Sequence, residues 1–244
     1  MSKHFKGHFY QKADLGRIRT TNEDQVFSAR NEFGEVLLLV CDGIGGLKNG
    51  DQASLKVKKV FEKEFKNKKK KFTILGNKNW LIRVAKLANK EIYIEEDNLK
   101  SGTTLTAALL FKDRLIVINA GDSRAYYFSD RKLKQLTIDD CVISQIDKNK
   151  VQEVLEKNPE IRHGITNAVG IYPSLAVDCR VFKYNGESIL LCSDGLYNNL
   201  SAKEIAGILY SNDSIITKVD MLIEEANGNG GSDNIAVVYW ESSK

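Results

Sequence analysis

Hydrophobic residues in this chain follow two patterns. Val36-Leu37-Leu38-Leu39-Val40-Cys41 is an unbroken apolar run of strand length between turn residues, which predicts a buried strand. Over residues 47–65 the period changes. Ala53, Val57, Val60 and Phe61 recur at three- and four-residue spacing with lysines on the other side, predicting an amphipathic helix. Trp80, Ile82, Val84, Ala85, Leu87, Ala88, Ile92 and Tyr93 predict a second long helix, closed by Ser101-Gly102-Thr103-Thr104. Strands are expected over 104–111, 114–119 and 124–128, with tight connections at Lys112-Asp113 and Ser129-Asp130. Residues 151–157 read as a short helix stopped by Asn158-Pro159. Two more strands, 176–184 and 188–192, flank Asn185-Gly186, a hairpin signal. Ser201 with Glu204 three residues on is a capping box for a helix. A last helix (215–227) and a last strand (235–240) follow.

Two clusters of strands and two pairs of helices predict an α+β fold. Its expected form is a central sandwich of two antiparallel β-sheets flanked by pairs of α-helices, in α-β-β-α layers. No repeat or Pro/Gly-rich linker interrupts the 244 residues, so 1–244 is expected to form a single domain. Composition narrows the class. Hydrophobic residues make up 42% and charged residues 28%, which is ordinary for a soluble globular protein. The balance of 36 basic and 32 acidic residues is too even to argue for a nucleic-acid partner. The longest apolar stretch is far too short to span a bilayer, and the polar first residues offer no signal-peptide core. A cytoplasmic protein with no membrane partner is expected. Cys41, Cys141, Cys179 and Cys192 lack zinc-type spacing and read as reduced thiols. The run Lys66-Asn67-Lys68-Lys69-Lys70-Lys71 reads as a solvated loop, with substrate docking as the sharper alternative.

Chemistry enters with the aspartates. They occur in six segments: Arg19-Thr20-Thr21-Asn22-Glu23-Asp24, Cys41-Asp42-Gly43-Ile44-Gly45-Gly46, Gly121-Asp122-Ser123-Arg124, Leu136-Thr137-Ile138-Asp139-Asp140, Cys192-Ser193-Asp194-Gly195 and Gly231-Ser232-Asp233-Asn234. Several close a strongly apolar run, where a strand stops. Asp-Gly after a strand is by itself a turn signal, and Asn/Asp/Ser clusters are loop signals. Together, carboxylates delivered by strand ends and lacking histidine or thiolate neighbours suit hard cations such as magnesium or manganese.

In this order, and with Ser101-Gly102-Thr103-Thr104, these blocks resemble the metal-dependent Ser/Thr protein phosphatases of the PPM type, in a compact bacterial-like form. The resemblance runs over about residues 14–240. It implies hydrolysis of phosphoserine and phosphothreonine monoesters by hydroxide bridging two Mn2+ or Mg2+ ions, with a third, weaker ion nearby. Asp42 resembles the carboxylate that bridges the two ions, and the Gly43 carbonyl a ligand of the second. Asp194 and Asp233 resemble the other ligands of the first ion, and Glu23 and Asp24 the acids that hold the second ion or its waters. Asp122 matches the residue that helps the third ion to bind near Asp194. Arg19, five residues before Asp24, stands where the family places its phosphate-binding arginine, with Arg17 as the alternative. Arg19, Asp42 and Asp194 are thus the expected catalytic residues.

Implied partners are phosphorylated proteins, opposite a Ser/Thr kinase, with the chain as a monomer. The alternatives are a catalytically silent binding or sensing module, or a phosphatase of a small phosphate ester. Several positions depart from the family pattern. Ile44 replaces a histidine proton donor, Asp140 and Asn158 replace histidines, and Asn167 replaces an arginine after Thr166. His163, in a flap over 146–165, is a distant candidate for the missing acid, while His4 and His8 read as tail residues.

Overall fold

Two antiparallel five-stranded sheets lie face to face in the computed structural model, which describes residues 6–44, 49–95, 101–142, 146 and 164–243. The first sheet has the order β1 (Gly7–Asp14), β10 (Ile235–Ser242), β9 (Ser188–Cys192), β6 (Arg124–Ser129), β7 (Lys132–Gln135). The second runs β2 (Asp24–Arg30), β3 (Val36–Asp42), β4 (Leu105–Phe111), β5 (Arg114–Ala120), β8 (Asp178–Lys183). This is the expected sandwich.

The two-residue period of a strand explains the unbroken apolar runs. Leu37, Leu39 and Cys41 pack outward against α1 (Gly50–Lys66) and α2 (Ile74–Glu95), while Val36, Leu38 and Val40 face the other sheet. In the first sheet Ile189 and Leu191 point into the sandwich. Leu190 and Cys192 point outward, to α3 (Asp194–Tyr197), α4 (Ala202–Tyr210) and α5 (Ile215–Gly228). Central strands covered on both faces need apolar side chains at every position. Each fully buried leucine contributes roughly 1.5–3 kcal/mol. The capping box is present: Ser201 Oγ accepts from Glu204 N, and the Glu204 carboxylate accepts from Ser201 N at 2.8 Å.

Several expectations are corrected. Residues 7–14, including His8, are no tail: they form the edge strand β1, paired with β10 from Gly7↔Ser242 to Asp14↔Ile235. An edge strand that is only half buried shows no apolar run to read. Helix α2 starts at Ile74, ahead of the apolar stripe, because Thr73 Oγ1 accepts from Gly76 N and opens the helix there. The tight turn after β6 is Asp130-Arg131, both in left-handed conformation (φ 49° and 59°), one residue later than expected.

Asn185-Gly186 closes no hairpin, since β8 and β9 belong to different sheets. That connection crosses the sandwich and is fixed by Tyr184, whose OH accepts from Trp240 Nε1 at 2.8 Å and donates to Glu187 O at 2.6 Å. The lysine run is not uniformly solvated. Lys68 is buried, with Nζ 2.7 Å from both Glu35 Oε2 and Asn77 Oδ1. The expected helix over 151–157, Asn158-Pro159, His163 and His4 lie outside the described residues.

Candidate metal centre

Strand pairing assembles the acidic residues at one end of the sandwich. In the second sheet, the antiparallel register of β2 with β3 sets Asp24 opposite Asp42. In the first, Asp194 follows β9 and Asp233 precedes β10, and these strands are neighbours. Ser193 joins the two sheets beneath the cluster. Its Oγ donates to Asp24 Oδ2 at 2.7 Å and accepts from Ala236 N at 2.8 Å.

The loop before β2 is held by Asn234. Its Oδ1 accepts from Glu23 N at 2.9 Å, and its Nδ2 donates to Leu15 O at 2.8 Å and Thr21 O at 3.1 Å. That brace turns Arg19 inward, where Nη2 lies 2.8 Å from Asp233 Oδ2. Arg17 packs its side-chain stem beside Gly231 and donates its backbone N–H to Gly231 O at 2.8 Å. Gly43 is wedged between Glu23 and the start of α1. A Cβ there would lie 2.6 Å from Gly50 O and 2.8 Å from Glu23 Cβ. Ile44 packs its side chain over Gly102, beside Ile171.

Asp122 reaches the same end through a turn that needs glycine. Gly121 has φ 108°, and a Cβ there would lie 2.7 Å from Thr104 Cγ2. Thr104 Oγ1 accepts from Asp42 N at 2.9 Å and pairs with Ser123 Oγ at 2.8 Å, while Thr103 Oγ1 donates to Asp42 O at 2.8 Å. The threonines of Ser101-Gly102-Thr103-Thr104 therefore hold the Asp42 backbone and tie it to Ser123 of the next acidic segment.

Asp139 and Asp140 also support this end. Arg124 forms a forked pair with Asp139 (2.6 Å to Oδ2) and stacks 3.5 Å above the Tyr197 ring, whose OH donates to Asp122 O at 3.0 Å. Asp140 Oδ2 accepts from Gly121 N at 3.2 Å and from Asn167 Nδ2 at 2.7 Å. Nothing in the local pattern announces these partners, which lie 15 to 27 residues away.

Electrostatics set the character of the site. Asp24 is 2% exposed and its Oδ1 has no hydrogen-bond partner. Burial first, then the fields of Asp194 and Asp233, push its pKa up to about 8, against the Ser193 bond. Asp194 is pushed up to about 7 by burial and then by Asp122 and Asp233, with Arg19 opposing. Asp42 is raised well above the usual carboxylate range by burial, then by Asp24 and Asp194. Glu23 is raised chiefly by burial.

Such a cluster is short of positive charge. Its donors are all oxygens, and the orphaned Asp24 Oδ1 and the tight approach at Gly43 fit a hard cation. Among the described residues no three acidic, histidine or cysteine side chains close into a finished cage. Asp233 is engaged by Arg19, Asp194 by Asn198 Nδ2 at 3.0 Å and Asp24 by Ser193. An open cluster of this kind suits ions that keep several waters.

Known proteins share both the sequence pattern and the fold. The family model for protein phosphatase 2C matches residues 17–228. The serine/threonine phosphatase stp of Listeria welshimeri is 32% identical over 236 residues, covering 94% of each chain. The serine/threonine phosphatase of S. agalactiae superposes with a TM-score of 0.87 at 27% identity, over 98% of this chain and 100% of that one. The catalytic domain of the serine/threonine protein phosphatase PstP, described in complex with 2 manganese ions, superposes with a TM-score of 0.81 at 29% identity, over 98% and 99%. With its acidic cluster at the end of a two-sheet sandwich, the chain belongs to the protein phosphatase 2C family of metal-dependent serine/threonine phosphatases.

Proposed function

We propose that this chain removes phosphate from phosphoserine and phosphothreonine in proteins at the acidic cluster described above, with two manganese or magnesium ions bound there. The observation that carries the reading is the set of buried, mutually repelling carboxylates whose pKa values stand far above normal. Bound cations would hold that cluster as carboxylates at neutral pH. Asp42, Asp194 and Asp233 would hold one ion. Asp42, the Gly43 carbonyl, Glu23 and Asp24 would hold the other or its waters, and Asp122 with Asp194 a third. When bound, the ions neutralise the approaching phosphate dianion and make a water acidic enough to attack phosphorus.

The chain's own contribution is positioning. Arg19, resting on Asp233, has a planar fork that grips two phosphate oxygens and holds them as charge develops. Asn234 fixes the loop that aims Arg19, and Ser193 fixes Asp24. Ile44 offers no proton to the departing oxygen. The same reading makes the substrates phosphoproteins produced by a Ser/Thr kinase, and the enzyme a monomer acting in the cytoplasm.

Phosphate release from a phosphothreonine peptide, measured with manganese, with magnesium and with chelator, tests the proposal. Turnover is expected with a divalent ion only, and it is expected to fall by at least a thousandfold in Asp194→Asn. A folded wild-type protein inactive with every metal, or an Asp194→Asn variant of undiminished rate, overturns it.

A further inference from the structure

The lysine-rich connection between α1 and α2 has features that a solvated loop does not require. Residues 66, 67 and 69–75 are all exposed, whereas Lys68 in their midst is buried. Lys68 Nζ bonds Glu35 Oε2 and Asn77 Oδ1 and lies 5.2 Å from the centre of the Trp80 ring. Asn67 Nδ2 donates to Lys63 O at 2.9 Å, and Lys112 Nζ, from the turn after β4, donates to Phe72 O at 3.0 Å. The connection is thus held at three points. What it presents outward is amphiphilic. Phe72 is 70% exposed and Leu75 64% exposed, with Ile74 beside them. Lys66, Lys69, Lys70 and Lys71 precede them in the chain, Lys70 Nζ lies 5.5 Å from the Phe72 ring centre and 5.7 Å from that of Phe33, and among the described residues no carboxylate pairs with Lys69, Lys70 or Lys71.

We propose that this connection is a docking surface for an anionic phospholipid bilayer, bound peripherally, with Phe72 and Leu75 entering the headgroup boundary and the lysines facing lipid phosphates. Charge complementarity selects the occupant, since lysines without carboxylate partners next to exposed apolar side chains match a negative surface with an apolar layer beneath. The anchoring by Lys68, Asn67 and Lys112 matters because a loop already ordered loses little entropy on docking.

Position supports the same occupant. Helix α1 starts beside Gly43 and runs 17 residues, so its far end lies about 25 Å from the metal centre. A bilayer held there leaves the acidic cluster facing away from the lipid, open to protein substrates. Among the described residues no helix is long and apolar enough to cross a membrane. Contact at the surface is a different matter from a span, and it is surface contact alone that the proposal concerns.

The test is co-sedimentation of the full chain with vesicles of phosphatidylcholine alone and with one third phosphatidylglycerol. Binding is expected only to the anionic vesicles, weakening as salt is raised. About a fivefold attraction per lysine predicts about a hundredfold loss in the K69S/K70S/K71S variant. Phe72→Trp is expected to shift its added emission to the blue on the same vesicles. Phosphate release from a soluble peptide is expected to stay unchanged in both variants, which shows that they are folded. Absence of binding to anionic vesicles, binding that survives loss of the three lysines, or unshifted emission overturns the proposal. Capture of an acidic peptide without any vesicle binding also overturns it, assigning the patch to a protein partner.

Discussion

Asp24 and Asp194 illustrate how a functional site stores instability. Both have folded-state pKa values, about 8 and about 7, raised above those of an unfolded chain, with burial as the main cause. Stability from a raised carboxyl is fully present below the unfolded pKa and is lost as pH rises through the folded one. Without divalent ions, the melting temperature is therefore expected to fall between pH 4 and pH 8. Asp194→Asn, lacking the charge, should flatten that fall while abolishing turnover; thermal melts in chelator at several pH values check it. Lys68 is a different case. Removing it leaves Glu35 buried without its cation, so Lys68→Ala is expected to cost ~3–5 kcal/mol in denaturant unfolding. Lys69→Ala, one residue on and exposed, should stay within ~0.5 kcal/mol. The sequence could not separate these two lysines, because Glu35 and Asn77, which decide the matter, lie 33 and 9 residues away.

Among the elements, the strands buried on both faces were legible. Val36 to Cys41 is apolar at each position because helices cover one face and a sheet the other. β1 was not legible: its side chains are mostly half buried, and only its pairing with β10 makes it a strand. Asn185-Gly186 was legible as a turn but not as a crossing between sheets, since turn chemistry says nothing of where each strand finds its neighbour. Much of the acidic cluster could be read, because Asp42 and Asp194 stand at the ends of apolar strand runs. Its support could not, because Asn234, Thr104 and Arg124 act through partners distant in sequence. Thr104 gives a sharp test of that support. Thr104→Val removes the hydroxyl that accepts from Asp42 N and pairs with Ser123, and is expected to cost ~1–3 kcal/mol and to weaken manganese activation. Thr104→Ser keeps the hydroxyl and should retain most of both, as measured by unfolding and by metal-titrated phosphate release.

For the whole molecule, metal binding and folding are linked. Ions that bind the folded cluster and not the unfolded chain stabilise by mass action, by ~2.7 kcal/mol at a hundredfold excess over the dissociation constant. Manganese is therefore expected to raise the melting temperature of the wild type and to leave that of Asp42→Asn nearly unmoved. Scanning calorimetry with and without the ion reads this directly. The pairing of β1 with β10 bears on how such a molecule is made. Strand β10 sits between β1 and β9 and follows Asp233 in the chain. During synthesis from the N-terminus, β1 must wait beside an empty place until β10 emerges, while the second sheet has all its strands once β8 has appeared. A nascent chain can thus complete one half of the sandwich early, while Asp233 and the last strand of the other half are still to come. With Asp233 holding an ion as proposed, dephosphorylation is expected to begin only when nearly the whole polypeptide is available, and a translation product ending before Asp233 is expected to be inactive.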